Sequence, residues 1–135
     1  MNKLDVSTME YFLNRFYQCH DSIIRCIALI AQDETNTSKA EVILSVRDKE
    51  KDGDGWVNLN IKINGLTEFI GSDSGNYTDA VLSDGVKIGF FDNLTYIDFE
   101  PFTDEPRGIE DYKKSKCLII GKEIFLEITS YSEKC

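Results

Sequence analysis

One change in hydrophobic period constrains the fold of this chain more than any other feature. Between Met9 and Tyr17 the apolar residues recur every three or four positions, which is the spacing of one face of an α-helix. From Ser22 onward they recur mostly at every second position, which is typical of β-strands. The sequence therefore predicts one helix near the N-terminus, followed by a series of strands.

The predicted helix spans about residues 7–18. Ser7 and Glu10 fit the capping-box pattern, in which each side chain bonds an unpaired backbone N–H at the start of a helix. The apolar stripe consists of Met9, Phe12, Leu13, Phe16 and Tyr17. We expect this stripe to lie against a sheet, with Phe12 and Phe16 buried in the core.

About eight short strands are predicted after the helix. They cover residues 22–31, 40–47, 56–63, 66–71, 86–91, 94–100, 117–120 and 123–129. Tight turns at Asn64-Gly65, Asp92-Asn93 and Gly121-Lys122 would join neighbouring strands as hairpins, and residues 72–79 and 101–116 are predicted as loops. The predicted class is α+β, mainly β: a single domain over residues 1–135, with the N-terminal helix packed on a curved or two-layered antiparallel β-meander.

The charge balance argues against several classes of partner. The 135 residues carry a formal net charge of −9, and phosphate contacts need clustered Lys and Arg, so binding to nucleic acid or to an anionic membrane surface is not expected. No apolar run approaches the ~20 residues that span a bilayer, and residues 1–10 lack the features of a signal peptide. We therefore expect a cytoplasmic protein with free thiols at Cys19, Cys26, Cys117 and Cys135.

No motif in the sequence names a reaction, and neither a cofactor nor a metal is predicted. The loop from Asp48 to Asp54 begins like a calcium loop, but its twelfth position is Leu59 where a carboxylate is required. His20 follows the helix directly, and side-chain hydrogen bonding to loose backbone groups is its expected role. A small enzyme with an unrecognised site around His20 and the acidic loops stays open as an alternative, as does a self-associating structural protein.

The stretch from Gly89 to Tyr112 combines aromatic residues with concentrated negative charge. Between Asp98 and Asp111, six acids stand against a single Arg107, a local charge of −5. Aromatic anchors beside such charge favour a binding surface for a basic protein partner. The predicted partner-binding residues are Asp98, Glu100, Phe102, Asp104, Glu105, Glu110, Asp111 and Tyr112.

Two segments carry a resemblance to known proteins, residues 16–24 (FYQCHDSII) and residues 82–98 (LSDGVKIGFFDNLTYID). A helix that leads into the first of these segments, followed by an acidic sheet, resembles small bacterial immunity proteins of polymorphic and contact-dependent growth inhibition toxin systems. The resemblance implies a cytoplasmic antitoxin that binds and neutralises a cognate toxin domain with a basic cleft, often a nuclease. It implies no catalytic residues.

Overall fold

Two antiparallel sheets make up most of the protein, whose computed structural model describes residues 2–30, 38–53, 55–71, 77 and 79–135. These residues form ten strands and two helices, so the predicted class, mainly antiparallel β with an N-terminal helix, is confirmed. The strands divide into a six-stranded and a four-stranded sheet, so the architecture is two-layered and not a single curved meander. All eight predicted strands are present, with boundaries that differ by one or two residues.

The six-stranded sheet contains the two strands that the sequence did not reveal. Its order is β1 (Asn2–Leu4), β10 (Glu123–Ser130), β4 (Trp56–Asn64), β3 (Lys39–Arg47), β2 (Ser22–Ile30) and β6 (Ala80–Leu82). The missed strands, β1 and β6, have three residues each and lie at the two edges. Three residues are too few to show an alternating pattern, so periodicity does not detect them; β5 is equally short but was predicted from the turn signal at Asn64-Gly65 that precedes it.

The four-stranded sheet runs in the order β5 (Glu68–Ile70), β9 (Leu118–Gly121), β8 (Leu94–Asp98) and β7 (Lys87–Phe91). The predicted turn between β7 and β8 is confirmed, since Asp92 and Asn93 have φ angles of 53° and 63°. Two central residues with positive φ define the type I′ turn that suits a two-residue hairpin.

The other two predicted hairpins are wrong, because Asn64-Gly65 and Gly121-Lys122 are corners where the chain passes between the sheets. Residues 57–70 pair with residues 118–130 on both sides of these corners, so one long antiparallel ribbon bends from one sheet into the other. The Lys122 N–H donates to the Asn64 carbonyl (3.0 Å), which holds the corners together. A Cβ on Gly121 would lie 2.3 Å from Ile63 Cγ2, so only glycine fits the bend.

Helix α1 (Val6–Arg15) starts earlier and ends earlier than predicted. Its N-cap is Asp5, whose carboxylate accepts from the backbone N–H groups of Ser7 (2.9 Å) and Thr8 (3.1 Å), so the predicted Ser7–Glu10 capping box is wrong. A carboxylate is also the better partner for the positive end of the helix dipole. The chain leaves the α-helix after Arg15 and makes a separate 3₁₀ turn at Tyr17–Cys19.

One main core joins the helix to the inner faces of both sheets. Phe12 and Phe16 are buried as predicted, with ring centroids 5.3 Å apart. A smaller second core covers the outer face of the four-stranded sheet, where helix α2 (Ile109–Lys113) places Tyr112 against Tyr96. The prediction of a plain loop over residues 101–116 is therefore wrong in its second half. Five residues are too short for a helical period to be recognised.

Some predictions fall on positions outside the described residues: Ala31, Asp54, and residues 72–76 and 78 of the predicted 72–79 loop. Over the described part of the chain, neither helix has the length and apolar character needed to cross a membrane. All four cysteine thiols are free, as predicted.

Candidate functional site: an anchored acidic loop

Residues 99–108, here called the acidic loop, connect β8 to α2 and carry half of the predicted partner-binding residues. Glu100, Phe102, Asp104 and Glu105 are exposed on it, and the Phe102 side chain keeps 64% of its surface in solvent. Exposed aromatic residues of this size are the usual anchors of protein interfaces. From α2, Glu110 is exposed and Asp111 partly exposed.

Asp98 and Tyr112 are not on this surface, which corrects two of the predicted contact residues. Asp98 is 1% exposed and Tyr112 is 4% exposed. The alternation along β8 directs Tyr96 and Asp98 to the outer face of the four-stranded sheet, which α2 covers. Burial raises the pKa of Tyr112 to about 12, so its phenol stays neutral within the second core.

Asp98 instead anchors the base of the acidic loop. Its carboxylate accepts a short hydrogen bond from the Ser115 hydroxyl and another from the Glu100 N–H (2.9 Å). The Ser115 oxygen in turn accepts from the Cys117 N–H (3.0 Å), and the Phe99 N–H donates to the Cys117 carbonyl (2.9 Å). Burial raises the pKa of Asp98 above its ordinary value, and the hydrogen bonds that its carboxylate accepts from Ser115 and Glu100 oppose that rise. The first residues of the loop are thereby fixed to the segment that follows α2.

Cations that follow Asp111 in the sequence offset the predicted charge of −5. Over residues 99–116, five carboxylates stand against four cations. The Lys114 ammonium lies 5.0 Å from the centre of the Phe102 ring, and Lys113 pairs with Glu68 at 3.4 Å. Within the loop itself three carboxylates stand against Arg107, so the net negative charge of this region lies on the loop.

An open depression of about 510 Å³ lies on the loop side of this region. Its lining consists of Phe102, Thr103, Asp104, Glu105, Arg107 and Asp111. The Arg107 N–H donates to an Asp111 carboxylate oxygen (3.0 Å), which joins the loop to α2. A depression with one aromatic wall and several carboxylates suits the side chain of a partner's Lys or Arg.

The loop that begins like a calcium site is occupied by an arginine. Arg15 binds the Asp48 carboxylate through two hydrogen bonds of 2.9 Å, and its third nitrogen lies 2.8 Å from Glu50. Hydrogen bonding to Arg15 lowers the pKa of Asp48. In the part of the chain that the structure describes, no three His, Cys, Asp or Glu side chains are grouped as metal ligands would be.

His20 lies in an unusual turn that the sequence did not indicate. Tyr17, Gln18 and Cys19 have φ angles of 56°, 55° and 59°, in the left-handed region that non-glycine residues rarely adopt. The His20 Nδ1 atom lies 3.2 Å from the Ser83 carbonyl, which fits its expected bonding to the backbone. A strained backbone of this kind persists only where neighbouring contacts hold it. No pattern in the sequence predicts three consecutive left-handed residues of these types.

Arg25 is the second feature whose surroundings the sequence did not show. The guanidinium donates to the Ser45 hydroxyl (2.9 Å), to Asp79 (2.9 Å) and to the Tyr131 hydroxyl (3.0 Å). Arg25 sits at a bulge between Ile24 and Cys26, which leaves it out of the pairing register. The sequence indicated this arrangement only by placing a single charged residue within an otherwise apolar strand.

No family model, curated protein or solved structure matches this chain. The functional interpretation therefore depends on the chain's own residues.

Proposed function

We propose that this protein is an immunity-type inhibitor, which binds a toxin domain and blocks its basic cleft without catalysing a reaction. The observation that carries the proposal is an exposed aromatic side chain, Phe102, set beside Asp104 and Glu105 on a loop that hydrogen bonds hold at both ends. Anchoring reduces the conformational entropy that a loop loses when it binds. The overall charge of −9 adds long-range attraction toward a basic partner.

The two parts of this surface have different expected roles. Exposed carboxylates at the edge of an interface mainly accelerate association, whereas a buried aromatic anchor mainly slows dissociation. Asp104 and Glu105 should therefore govern the association rate and its salt dependence. Phe102 should govern the lifetime of the complex, once its ring leaves Lys114 for a pocket on the partner.

The charge prediction is tested with the double reversal Asp104→Lys and Glu105→Lys. Against the toxin domain encoded beside this gene, association at low salt should slow by roughly tenfold or more, and the difference should shrink as salt screens the field. Stopped-flow or surface-plasmon measurements from low to high ionic strength give both rates, and a toxin activity assay gives protection.

A matched control separates the position of the charge from its amount. Glu10→Lys with Glu127→Lys changes the net charge from −9 to −5, as the test variant does, but at exposed positions on α1 and β10. The control should slow association less than the loop reversal. Equal effects of the two variants, or the lack of an adjacent toxin gene, would contradict the proposal.

The anchor prediction is tested with Phe102→Ala. If the ring is a central anchor, its truncation should cost about 2 kcal/mol of binding free energy, mostly as faster dissociation. The fold should be retained because Phe102 is exposed in the unbound protein. An unchanged dissociation rate would remove Phe102 from the interface.

A further inference from the structure

Residues 131–135, here called the C-terminal tail, lie back over the outer face of strands β2, β3 and β4. The Ser132 carbonyl accepts from the Asn58 side-chain amide (3.0 Å) and from the Ser45 hydroxyl (3.4 Å). The Tyr131 ring centre lies 6.2 Å from that of Trp56. Ser45 and Asn58 are almost fully buried, so the tail supplies hydrogen-bond partners to polar groups that would be costly to leave unpaired.

The tail places the Cys135 thiol beside the backbone of Cys26. The Cys135 thiol donates to the Arg25 carbonyl (3.2 Å), and that carbonyl belongs to the peptide bond that enters Cys26. Burial, followed by the neighbouring Cys135 thiol, raises the pKa of the Cys26 thiol. Cys26 is partly buried on β2, whereas Cys135 is exposed and belongs to neither a strand nor a helix. The Cys135 sulfur therefore lies beside the backbone of Cys26 on a segment outside the sheet, so a local movement of the tail can bring the two sulfurs together.

We propose that Cys26 and Cys135 form a reversible disulfide that fastens the C-terminal tail to the six-stranded sheet, by exchange with a low-molecular-weight disulfide such as oxidised glutathione. The Cys135 thiolate attacks one sulfur of oxidised glutathione and releases one glutathione thiolate. The Cys26 thiolate then attacks the Cys135 sulfur of this mixed disulfide and releases the second glutathione. Two protein thiols are oxidised, one glutathione disulfide is reduced to two thiols, and the two protein protons pass to the products.

The order of these steps follows from exposure. Burial, assisted by the neighbouring Cys135 and Glu41, raises the pKa of Cys26 to about 11, so its thiolate is scarce at neutral pH. Cys135, which is exposed, meets the external disulfide first. Cys26 has only to complete an intramolecular step against a sulfur that lies beside its own backbone, where proximity compensates for a low thiolate fraction.

The other two thiols are excluded from this chemistry by their positions. Cys19 is 0% exposed and Cys117 is 2% exposed. Burial raises the pKa of each to about 12, which keeps them protonated and inert. Exchange should therefore consume only two of the four thiols.

The test titrates the purified protein with glutathione buffers of defined ratio, then quenches it and alkylates the remaining thiols in denaturant. Oxidation should remove two of four alkylation sites in the monomer, and peptide mapping should show one Cys26–Cys135 cross-link. Because the bridge closes a loop of about 110 residues, the Tm should rise by roughly 5–15 °C in oxidising buffer. The fluorescence of Trp56, beside Tyr131, follows the position of the tail.

Cys135→Ser is the matched control, since the exposed position tolerates the change. In this variant Tm and Trp56 fluorescence should not respond to the glutathione ratio. Cys26→Ser should instead stop at a stable glutathione adduct on Cys135. A stable adduct on wild-type Cys135 without a cross-link, a cross-link between two protein molecules, or an unchanged Tm on oxidation would each overturn the proposal.

Discussion

Gly85 holds the left-handed turn at Tyr17–Cys19 against the rest of the molecule, and its replacement by alanine should destabilise the fold. Gly85 has a φ of +74°, and a Cβ built on it would lie 2.4 Å from the Gln18 carbonyl oxygen. That oxygen already accepts a hydrogen bond from the Val86 N–H (3.0 Å). The methyl group would therefore meet a backbone atom that is itself held in place.

The expected magnitude has two parts. An alanine in the left-handed region costs about 1–2 kcal/mol compared with right-handed backbone, a cost that glycine avoids. Relief of the overlap requires the Gln18 carbonyl to move away from Val86, and an unpaired backbone group costs about 1–3 kcal/mol. Gly85→Ala should therefore lower the free energy of unfolding by about 2–5 kcal/mol.

Gly53 offers a matched control within the same chain. Its φ is +70°, but apart from its chain neighbours no atom of the described residues lies within 4 Å of a Cβ built there, so Gly53→Ala should cost only the conformational part, about 1–2 kcal/mol. Urea unfolding of both variants, with equal m-values, measures the two costs. If Gly85→Ala proves no more destabilising than Gly53→Ala, then close packing against Gly85 does not hold the left-handed turn at Tyr17–Cys19 in place.

Three further substitutions test the core and the two buried carboxylates. Phe16→Ala should lower the free energy of unfolding by about 3–5 kcal/mol, measured in urea, because the ring is 2% exposed within the main core. Arg15 lowers the pKa of Asp48, so the ionised Asp48 side chain stabilises the fold above pH 3.8, and this stability is lost as the pH falls through the folded-state pKa. Asp48→Asn should lower the free energy of unfolding by about 2 kcal/mol at pH 7 and make it depend less on pH in the acid range. Asp98, whose pKa is raised by burial, favours folding at low pH and loses that contribution as pH rises from 3.8 through its folded pKa. Unfolding curves between pH 3 and 7 should show less of this decline in Asp98→Asn, and an unchanged pH profile in either variant would contradict the assignment.

The candidate surface was only partly predictable from the sequence. Phe102, Asp104 and Glu105 lie on an exposed loop, as their position between two prolines indicated. Asp98 and Tyr112 were misplaced because a count of charge and aromatic residues carries no information about which face of a strand is covered. The same count missed Lys113 and Lys114, which approach Glu68 and Phe102 only after α2 has formed.

The hydrophobic periods by themselves determined the helix, the long strands and, where apolar and polar residues alternate as in β4, the side of the strand that faces the core. Residues such as Val57, Leu59 and Ile61 alternate with polar neighbours, and burial of alternate residues is a local property of an extended chain. The pairing of the strands was not determined in this way. The sequences Asn64-Gly65 and Gly121-Lys122 are typical of hairpin turns, but they form corners between the two sheets. Only the tertiary structure decided these partners, since pairing depends on contacts between residues far apart in the chain. The left-handed turn beside Gly85 and the tail over Arg25 have the same origin: distant segments supply the hydrogen bonds that stabilise conformations no local sequence prefers.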